Sequence, residues 1–425
     1  EIWLLFSFSP PEEPPERSKV IASLPSLGLL TLAGLTPDRH EIAYREVREL
    51  VDAEGLAGCF DLVAISSLTA QIREAYAIAD QLRRRGARVV IGGLHATAVP
   101  EEALRHADAV VAGAGESAWP EVLADAEAGR LGGIYRGARF DLKAAPMPRF
   151  DLLDIARYNR LTVQTARGCP WRCEFCASSV LLTDRYEQKP IAKVLAEIDR
   201  IRELWPRPFL EFADDNSFVH RAYWKELLPE LARRRVRWFT ETDLSIADDP
   251  QFLRLLRNAG CKQVLIGLES PDEQGLRGLE QKTDWKRKRF ADSLAAVRRI
   301  QAHGIRVNAC FVLGLPGHSV AVFDAIEATV REMVPFDVQV TVQTPFPGTP
   351  LYRRLLREGR LPDPTPWDRC TLFDVAYEPA RMSALQLRQG LLDLTRRLYG
   401  EAATRGRRRG WRRNARVLAN LQGVG

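Results

Sequence analysis

Three cysteines fall within eight residues in the stretch Arg167-Gly168-Cys169-Pro170-Trp171-Arg172-Cys173-Glu174-Phe175-Cys176. Spacings of four and three let one looping backbone aim three thiolates at a common centre, as a cluster of iron and inorganic sulfide requires. A tetrahedral zinc site calls for a fourth Cys or His nearby, and none follows within the loop. Three thiolates on a four-iron cluster leave one iron open to a substrate or cofactor. The chain holds 7 cysteines in all, and crowding of this kind argues for metal over disulfides and for a reducing cytoplasm. Cys59, Cys261, Cys310 and Cys370 read as small core residues, with Cys310 set apart because its strand is expected to line a lumen.

The elements that must position this triplet follow from hydrophobic patterning. Ile2–Phe8, Glu41–Tyr44, Leu62–Ser66, Arg88–Gly92 and Ala109–Ala112 are the first strand candidates, with helices expected at Ser26–Leu35, Gln71–Arg85 and Trp119–Glu127. This βα alternation predicts an α/β domain with a doubly wound, Rossmann-like parallel sheet over residues 1–145. Ligands of such sheets bind beyond the carboxyl ends of the strands. The loops there, Ser66-Ser67-Leu68-Thr69, Gly92-Gly93-Leu94-His95 and Gly113-Ala114-Gly115-Glu116, are rich in small residues that leave room for something large.

After a linker at Lys143–Phe150 the alternation restarts with longer units. Strands are expected at Leu161–Ala166, Phe209–Ala213, Arg237–Thr242, Gln263–Leu268, Val307–Gly314 and Asp337–Thr344, joined by helices such as Ile191–Glu203, Arg221–Arg234, Lys286–Ala302 and Val320–Met333. Six such units predict a partial (β/α)6 barrel over residues 146–360, with its site at the carboxyl ends of the strands. Pro362-Asp363-Pro364-Thr365-Pro366 breaks the chain, and residues 361–425 read as a small helical domain with one amphipathic helix, Ser383–Tyr399, before an arginine-rich tail.

With an aromatic residue before its third cysteine and a barrel strand before its first, the triplet resembles the signature of radical S-adenosylmethionine (SAM) enzymes. The resemblance implies that Cys169, Cys173 and Cys176 hold a [4Fe–4S] cluster whose open iron chelates SAM, with Phe175 near the adenine. Reductive cleavage of SAM then supplies a 5′-deoxyadenosyl radical, which a closed lumen protects from water. Further SAM contacts are implied at Asp214, Glu241, Glu269 and Gly314. Asp214 meets the SAM amino group or caps a helix; Glu241 and Glu269 accept hydrogen bonds from SAM or form structural salt bridges.

The front domain is similar to the cobalamin-binding module fused to one large branch of these enzymes. Ser66, Ser67, Thr69, Gly92, Gly93, His95, Gly113, Gly115 and Glu116 are the implied cobalamin contacts. The D-x-H-x-x-G loop that gives cobalt a histidine in some cobalamin proteins is missing, and Ser7-Phe8-Ser9-Pro10-Pro11 follows the first strand. Cobalamin without a histidine ligand is therefore expected, with His95 hydrogen-bonding inside its loop. Trp367–Asp374 and the helix after Ser383 resemble the C-terminal domain of cobalamin-type relatives that include hopanoid C-methylases. The implied function is methyl transfer to an unactivated carbon of a lipid or natural product. The same scaffold also suits radical cyclisation, rearrangement or transfer of another SAM-derived group. A small-molecule or lipid-like substrate, an external electron donor of flavodoxin or ferredoxin type and a monomeric state complete the expectation. An RNA methylthiotransferase would need three further cysteines in the front domain, where only Cys59 stands.

Lysine and arginine number 61 against 55 acids, a net charge of +6. Seven arginines between Arg405 and Arg416 face a single acid, Glu401, beyond residue 400, so the tail accounts for the whole excess. A neutral body argues against nucleic acid as a partner. The tail reads as a solvated terminal helix or as a peripheral grip on anionic lipid. No apolar run approaches the ~20 residues of a membrane span, and a cytoplasmic location, with peripheral membrane contact at most, is expected.

Overall fold

The computed structural model describes residues 2–7, 24–47, 60–181, 183 and 185–421, with backbone alone at 2–7, 179–180 and 414–421. Cys59 and the segment Phe8–Pro11 lie outside the described residues.

Strands β1 (Ile2–Ser7), β2 (Ile42–Val47), β3 (Leu62–Ser67), β4 (Arg88–Gly92), β5 (Ala109–Gly113) and β6 (Gly133–Gly137) form one parallel sheet in the order β2-β1-β3-β4-β5-β6. Helices α1 (Leu27–Leu35), α2 (Ile72–Arg84), α3 (Leu94–Ala98), α4 (Pro100–Ala103) and α5 (Gly115–Glu127) connect them. Alternation along the strands divides the apolar side chains between two cores. Leu62, Ala64, Val90 and Val111 face α1 and α5, while Val63, Ile65, Val89 and Ile91 face α2. Each such aliphatic side chain, fully buried, contributes about 1.5–3 kcal/mol. Trp119 Nε1 donates to Thr36 Oγ1 at 2.9 Å and fixes α5 to the end of α1. Strand β6 had no expectation from sequence: it is short and begins and ends on glycine.

The second sheet is also parallel. It contains β7 (Leu161–Val163), β10 (Phe209–Phe212), β11 (Arg237–Thr242), β12 (Cys261–Glu269), β13 (Arg306–Leu313) and β14 (Asp337–Val342), in the order β14-β13-β12-β11-β10-β7. A two-stranded hairpin of β8 (Ala166–Arg167) and β9 (Glu187–Gln188) stands beside it. The helices are α6 (Ala177–Leu181), α7 (Ile191–Leu204), α8 (Arg221–Arg234), α9 (Pro250–Asn258), α10 (Trp285–Lys288), α11 (Ser293–Ala302), α12 (Val322–Met333), α13 (Pro350–Arg357), α14 (Ala384–Tyr399) and α15 (Glu401–Leu421).

Two expectations are corrected. The run Leu161–Ala166 is split between β7 and β8, because the backbone N–H groups of Thr165 and Ala166 turn to the Asp214 carboxylate at 2.7 and 2.9 Å. The single helix expected at Lys286–Ala302 is two, α10 and α11, separated by a tight turn at Phe290–Asp292.

Register and burial sort the second sheet into an apolar outer face and a polar lumen. Leu210, Phe212, Trp238, Val264, Ile266, Val307, Ala309 and Phe311 are buried towards the helices. Phe212 and Trp238 pack on Trp224 of α8 with ring centres 5.3 and 5.8 Å apart. The alternate positions, Thr162, Glu211, Glu241, Gly267, Asn308 and Cys310, share the other face through the strand pairing. Cys310 thus lines the lumen, while Cys261 and Cys370 are buried.

The C-terminal residues tie the layers together. Trp367 is buried in the α2-side core of the first sheet. Ser383 caps α14 in a reciprocal pair with Gln386, and α15 follows directly after Gly400. No described helix is long and apolar enough to cross a membrane.

Candidate active site

The cysteine loop leaves β8 through Gly168, whose φ of +94° favours glycine and whose missing side chain leaves room for the Arg185 carbonyl; a β-carbon would stand 2.4 Å from that oxygen. The loop is held from four sides. Gly168 N donates to Asp215 Oδ2 at 2.9 Å. Glu174 N donates to Leu279 O at 2.9 Å, and Cys173 bridges Glu280. The Glu174 carboxylate takes a two-pronged contact from Arg354 at 2.6 and 3.1 Å. Trp171 stacks on Trp285 at 4.5 Å and donates to Asp243 at 2.9 Å.

Cys173 is buried and Cys169 and Cys176 are half-buried. Burial pushes the Cys169 thiol up to about 11, with the backbone near Trp171 and then Lys286 pulling the other way. Burial raises Cys173 further, again against Lys286. Among the described residues no three His, Cys, Asp or Glu side chains converge on a single-ion position. A cluster distributes its thiolates over separate irons and does not ask for that convergence, whereas one zinc ion does. Phe175 packs beside Leu276, Leu279, Val312 and Leu315.

Four carboxylates enter the lumen region at strand ends. Asp214 is only 4% exposed and accepts from Thr165 N, Thr165 Oγ1, Ala166 N and Ser217 Oγ. Its oxygens are spent on protein groups, so the structure gives Asp214 the task of shaping the turn before the cysteines. Asp215, beside it, is the acid that reaches the loop, through Gly168 N and Ser178 Oγ. Glu241 is exposed to the lumen although protein surrounds it. Desolvation by the surrounding protein, then the like charges of Glu211, Asp215 and Glu269, push its carboxyl up to about 7.

Glu269 ends β12 with φ of +67°, at a register shift against β13. A non-glycine residue in this region stores strain of about 1–3 kcal/mol. The bend turns its carboxylate onto Lys286, whose Nζ also donates to Gly267 O at 3.0 Å. Burial alone would lower the Lys286 ammonium, but Glu269 and then Cys173 hold it above its ordinary range. Lys286 had no sequence signal, since it lies in a charged run, Lys286-Arg287-Lys288-Arg289, that reads as solvated surface. Gly314 directly follows β13 at the carboxyl end of the sheet. Its φ is +82°, and the room left by its missing side chain is taken by Tyr377, which donates to Gly314 O at 2.7 Å.

In the first sheet the expected loops meet at the carboxyl ends of β3, β4 and β5. Gly93, at φ +100°, packs against Ser66 Oγ, and Thr97 Oγ1 links Gly93 O to Gly113 N. Ser67 and Thr69 are buried; Gly92, Gly115 and Glu116 are half-buried. Leu68 stands 49% exposed among them. His95 is 1% exposed, 3.4 Å from Glu102 and edge-on to Trp367 at 5.3 Å. These ends face the cysteine loop. Glu116 accepts from Arg167, the residue two before Cys169, at 2.6 Å. Gly348 sits between Ala98 of α3 and Leu181 of α6, where a β-carbon would stand 3.1 and 3.0 Å from them.

Comparison with known proteins agrees with this two-sheet arrangement. The B12 binding domain pattern matches residues 18–123, and the Radical SAM superfamily pattern matches residues 163–332. An uncharacterized methyltransferase of Synechocystis sp. is 32% identical over 350 residues, 80% of this chain and 64% of that protein. The bacteriochlorophyllide d C-12(1)-methyltransferase of Chlorobaculum tepidum is 26% identical over 393 residues, 90% of this chain and 84% of the relative. The chain thus carries the pattern of a B12 binding domain followed by that of the Radical SAM superfamily, and it is similar to methyltransferases over most of its length. Its fold is shared by the radical SAM methyltransferase TsrM of Kitasatospora setae, solved with cobalamin and a [4Fe–4S] cluster, at a TM-score of 0.66 and 19% identity, over 84% of this chain and 75% of that one.

The residues present fit the groups used by the cobalamin-dependent radical SAM family. Three thiols lie on one loop beside a buried ammonium. The lumen offers Thr162 Oγ1 and Asn308 Oδ1, both buried without a hydrogen-bond partner among the described residues. Across from them, glycines at the ends of β4 and β5 and serines at the end of β3 leave backbone approachable by a flat, large ligand.

Proposed function

We propose that the chain is a cobalamin-dependent radical SAM C-methyltransferase acting on an unactivated carbon of a lipid or natural-product intermediate. The observation that carries this reading is the facing of the two sheets' carboxyl ends, joined by the Glu116–Arg167 pair, which brings the small-residue loops of the first sheet beside the cysteine loop. Cys169, Cys173 and Cys176 are the cluster ligands in this reading. Phe175, Glu241, Glu269 and Lys286 surround SAM, and Asp214 and Asp215 hold the loop beneath it. Ser66, Ser67, Thr69, Gly92, Gly93, Gly113 and Gly115 receive cobalamin, with Glu116 bound to Arg167 at the rim and His95 tied to Glu102, so that no histidine meets cobalt. Residues 1–145, 146–360 and 361–425 act as cobalamin, SAM and bridging units. When bound, SAM supplies both the radical and the methyl group, and an external flavodoxin- or ferredoxin-type donor supplies electrons.

The chain's own residues do three things here. The cysteine loop fixes the cluster end of the lumen. Glu241 and Glu269 accept hydrogen bonds from the cofactor's hydroxyl and ammonium groups. The Val312, Leu315, Leu276 and Leu279 cluster beside Phe175 keeps water away from it. The test is anaerobic incubation of the iron-, sulfide- and hydroxocobalamin-loaded chain with SAM and a low-potential reductant. Formation of 5′-deoxyadenosine together with S-adenosylhomocysteine supports methyl transfer. 5′-Deoxyadenosine alone moves the assignment to radical cyclisation or rearrangement.

A further inference from the structure

The total charge conceals where the cations lie. Arg237 opens β11, Lys262 stands second in β12, Arg306 opens β13, and Arg257 lies in the last turn of α9, which leads into β12. Because the strands are parallel, all four sit at the amino end of the sheet, opposite the cysteine loop. The terminal helix α15 adds to the same face. A β-carbon on Gly410 would stand 2.6 Å from the Val334 side chain, and Trp411 meets Phe336 edge-on at 5.3 Å. The guanidinium groups of Arg306 and Arg408 lie 4.4 and 5.6 Å from the centre of the Phe336 ring.

The like charges act on one another. Burial, then Arg257, Arg237 and Arg306, hold the Lys262 ammonium below its ordinary range. Burial, then Arg408, Arg412 and Arg257, do the same to Arg306. Among the described residues none of these six cations has an acidic partner, whereas Arg234 and Arg299 on the flanks are tied to carboxylates. Beneath them Arg407 is 7% exposed, with Nε and Nη2 unpartnered. The neutral residue count of the first 400 positions led to the expectation of a body without a basic face. Folding corrects it by gathering cations from four distant segments and joining them to the tail.

We propose that this face docks on a bilayer by binding the phosphates of anionic phospholipid headgroups. An unpaired positive face of this kind is complementary to a plane of phosphates. The cations form a cluster whose members act on one another, with Arg306 and Arg408 over the Phe336 ring, not a stripe tracking a strand of nucleic acid, and Phe336 and Trp411 cover each other, so no free aromatic platform is offered to a base. Docked this way, the cysteine loop, at the opposite end of the sheet, points away from the bilayer and stays open to a diffusing electron donor. The inference is independent of methyl transfer, because its readout is binding.

The experiment is co-sedimentation of the full chain with vesicles of phosphatidylcholine alone or mixed with phosphatidylglycerol. The chain is expected to sediment with the mixed vesicles at low salt, to leave them near 1 M salt, where the screening length is ~3 Å, and to ignore phosphatidylcholine. Arg408→Gln with Arg412→Gln, on the exposed side of α15, is expected to weaken vesicle binding roughly thirtyfold with cluster loading and melting temperature unchanged; Arg412→Gln alone gives a smaller loss should the pair disturb folding. A chain that stays in the supernatant, or variants that sediment like the parent, would overturn the proposal. Release by inorganic phosphate or by duplex DNA at matched phosphate concentration would overturn it too, and assign the face to free phosphate or to nucleic acid.

Discussion

Asp214 and Lys286 both owe their surroundings to groups distant in the chain. Asp214 was marked because an acid at a strand end suits a cofactor ammonium, but such a position also puts a carboxylate within reach of backbone N–H groups, and the turn at Thr165–Ala166 takes it. Lys286 looked like surface, yet the bend at Glu269 draws it into the lumen wall. A cation beside the thiolates favours the added electron of a reduced cluster. Lys286→Met is therefore expected to lower the cluster's reduction potential by ~40 mV, the one-electron equivalent of about 1 kcal/mol, measured by potentiometric titration followed by electron paramagnetic resonance. An unchanged potential would remove Lys286 from the site's electrostatics. Glu241 makes a separate test. Its carboxyl lies above the ordinary range, so the folded state holds a proton that the unfolded chain releases. Its ionisation thus costs stability as pH rises from about 4.5 towards about 7. Glu241→Gln is expected to melt above the parent at pH 8, with the difference shrinking towards pH 5.

At the scale of elements, what was legible was what repeats locally. The β/α alternation, the two-residue alternation that separates Leu210 and Phe212 from Glu211, and the cap at Ser383 are all written in neighbouring residues. Strand β6, the split of β7 from β8 and the split of α10 from α11 depend on partners far away in sequence, and local patterning does not carry them. The glycine of the cysteine loop is a place where local and distant requirements meet. Gly168→Ala sets an L-residue at φ +94° and drives a β-carbon against Arg185 O. It is expected to cost about 1–3 kcal/mol and to lower iron content on reconstitution, read by thermal melting and iron assay. The Arg167–Glu116 contact joins the two sheets at 19% and 12% side-chain exposure. Removing Arg167 alone strands a partly buried carboxylate, so Arg167→Gln is expected to cost more than the pair Arg167→Gln/Glu116→Gln, by about 1 kcal/mol in a double-mutant cycle.

The whole molecule brings together what neither residues nor elements display singly. Two parallel sheets present their carboxyl ends to each other, with the cysteine loop on one side and glycine-rich loops on the other. The cysteine triplet was legible at once because its three thiols fall within eight residues of the chain. The opposing loops were legible only as small residues at strand ends, a signal shared by many doubly wound domains, and their meeting with the cysteine loop through Glu116 and Arg167 was not legible at all. Methyl transfer as proposed needs cobalamin and SAM within reach of one substrate, so binding of both cofactors by one chain decides it. The direct measurement is the cobalt, iron and visible spectrum of the chain after anaerobic loading with iron, sulfide and hydroxocobalamin and removal of unbound material. One corrin and one four-iron cluster per chain are predicted, with Cys173→Ala losing the cluster and keeping the corrin. A chain that holds the cluster but passes through desalting without cobalt would contradict the account.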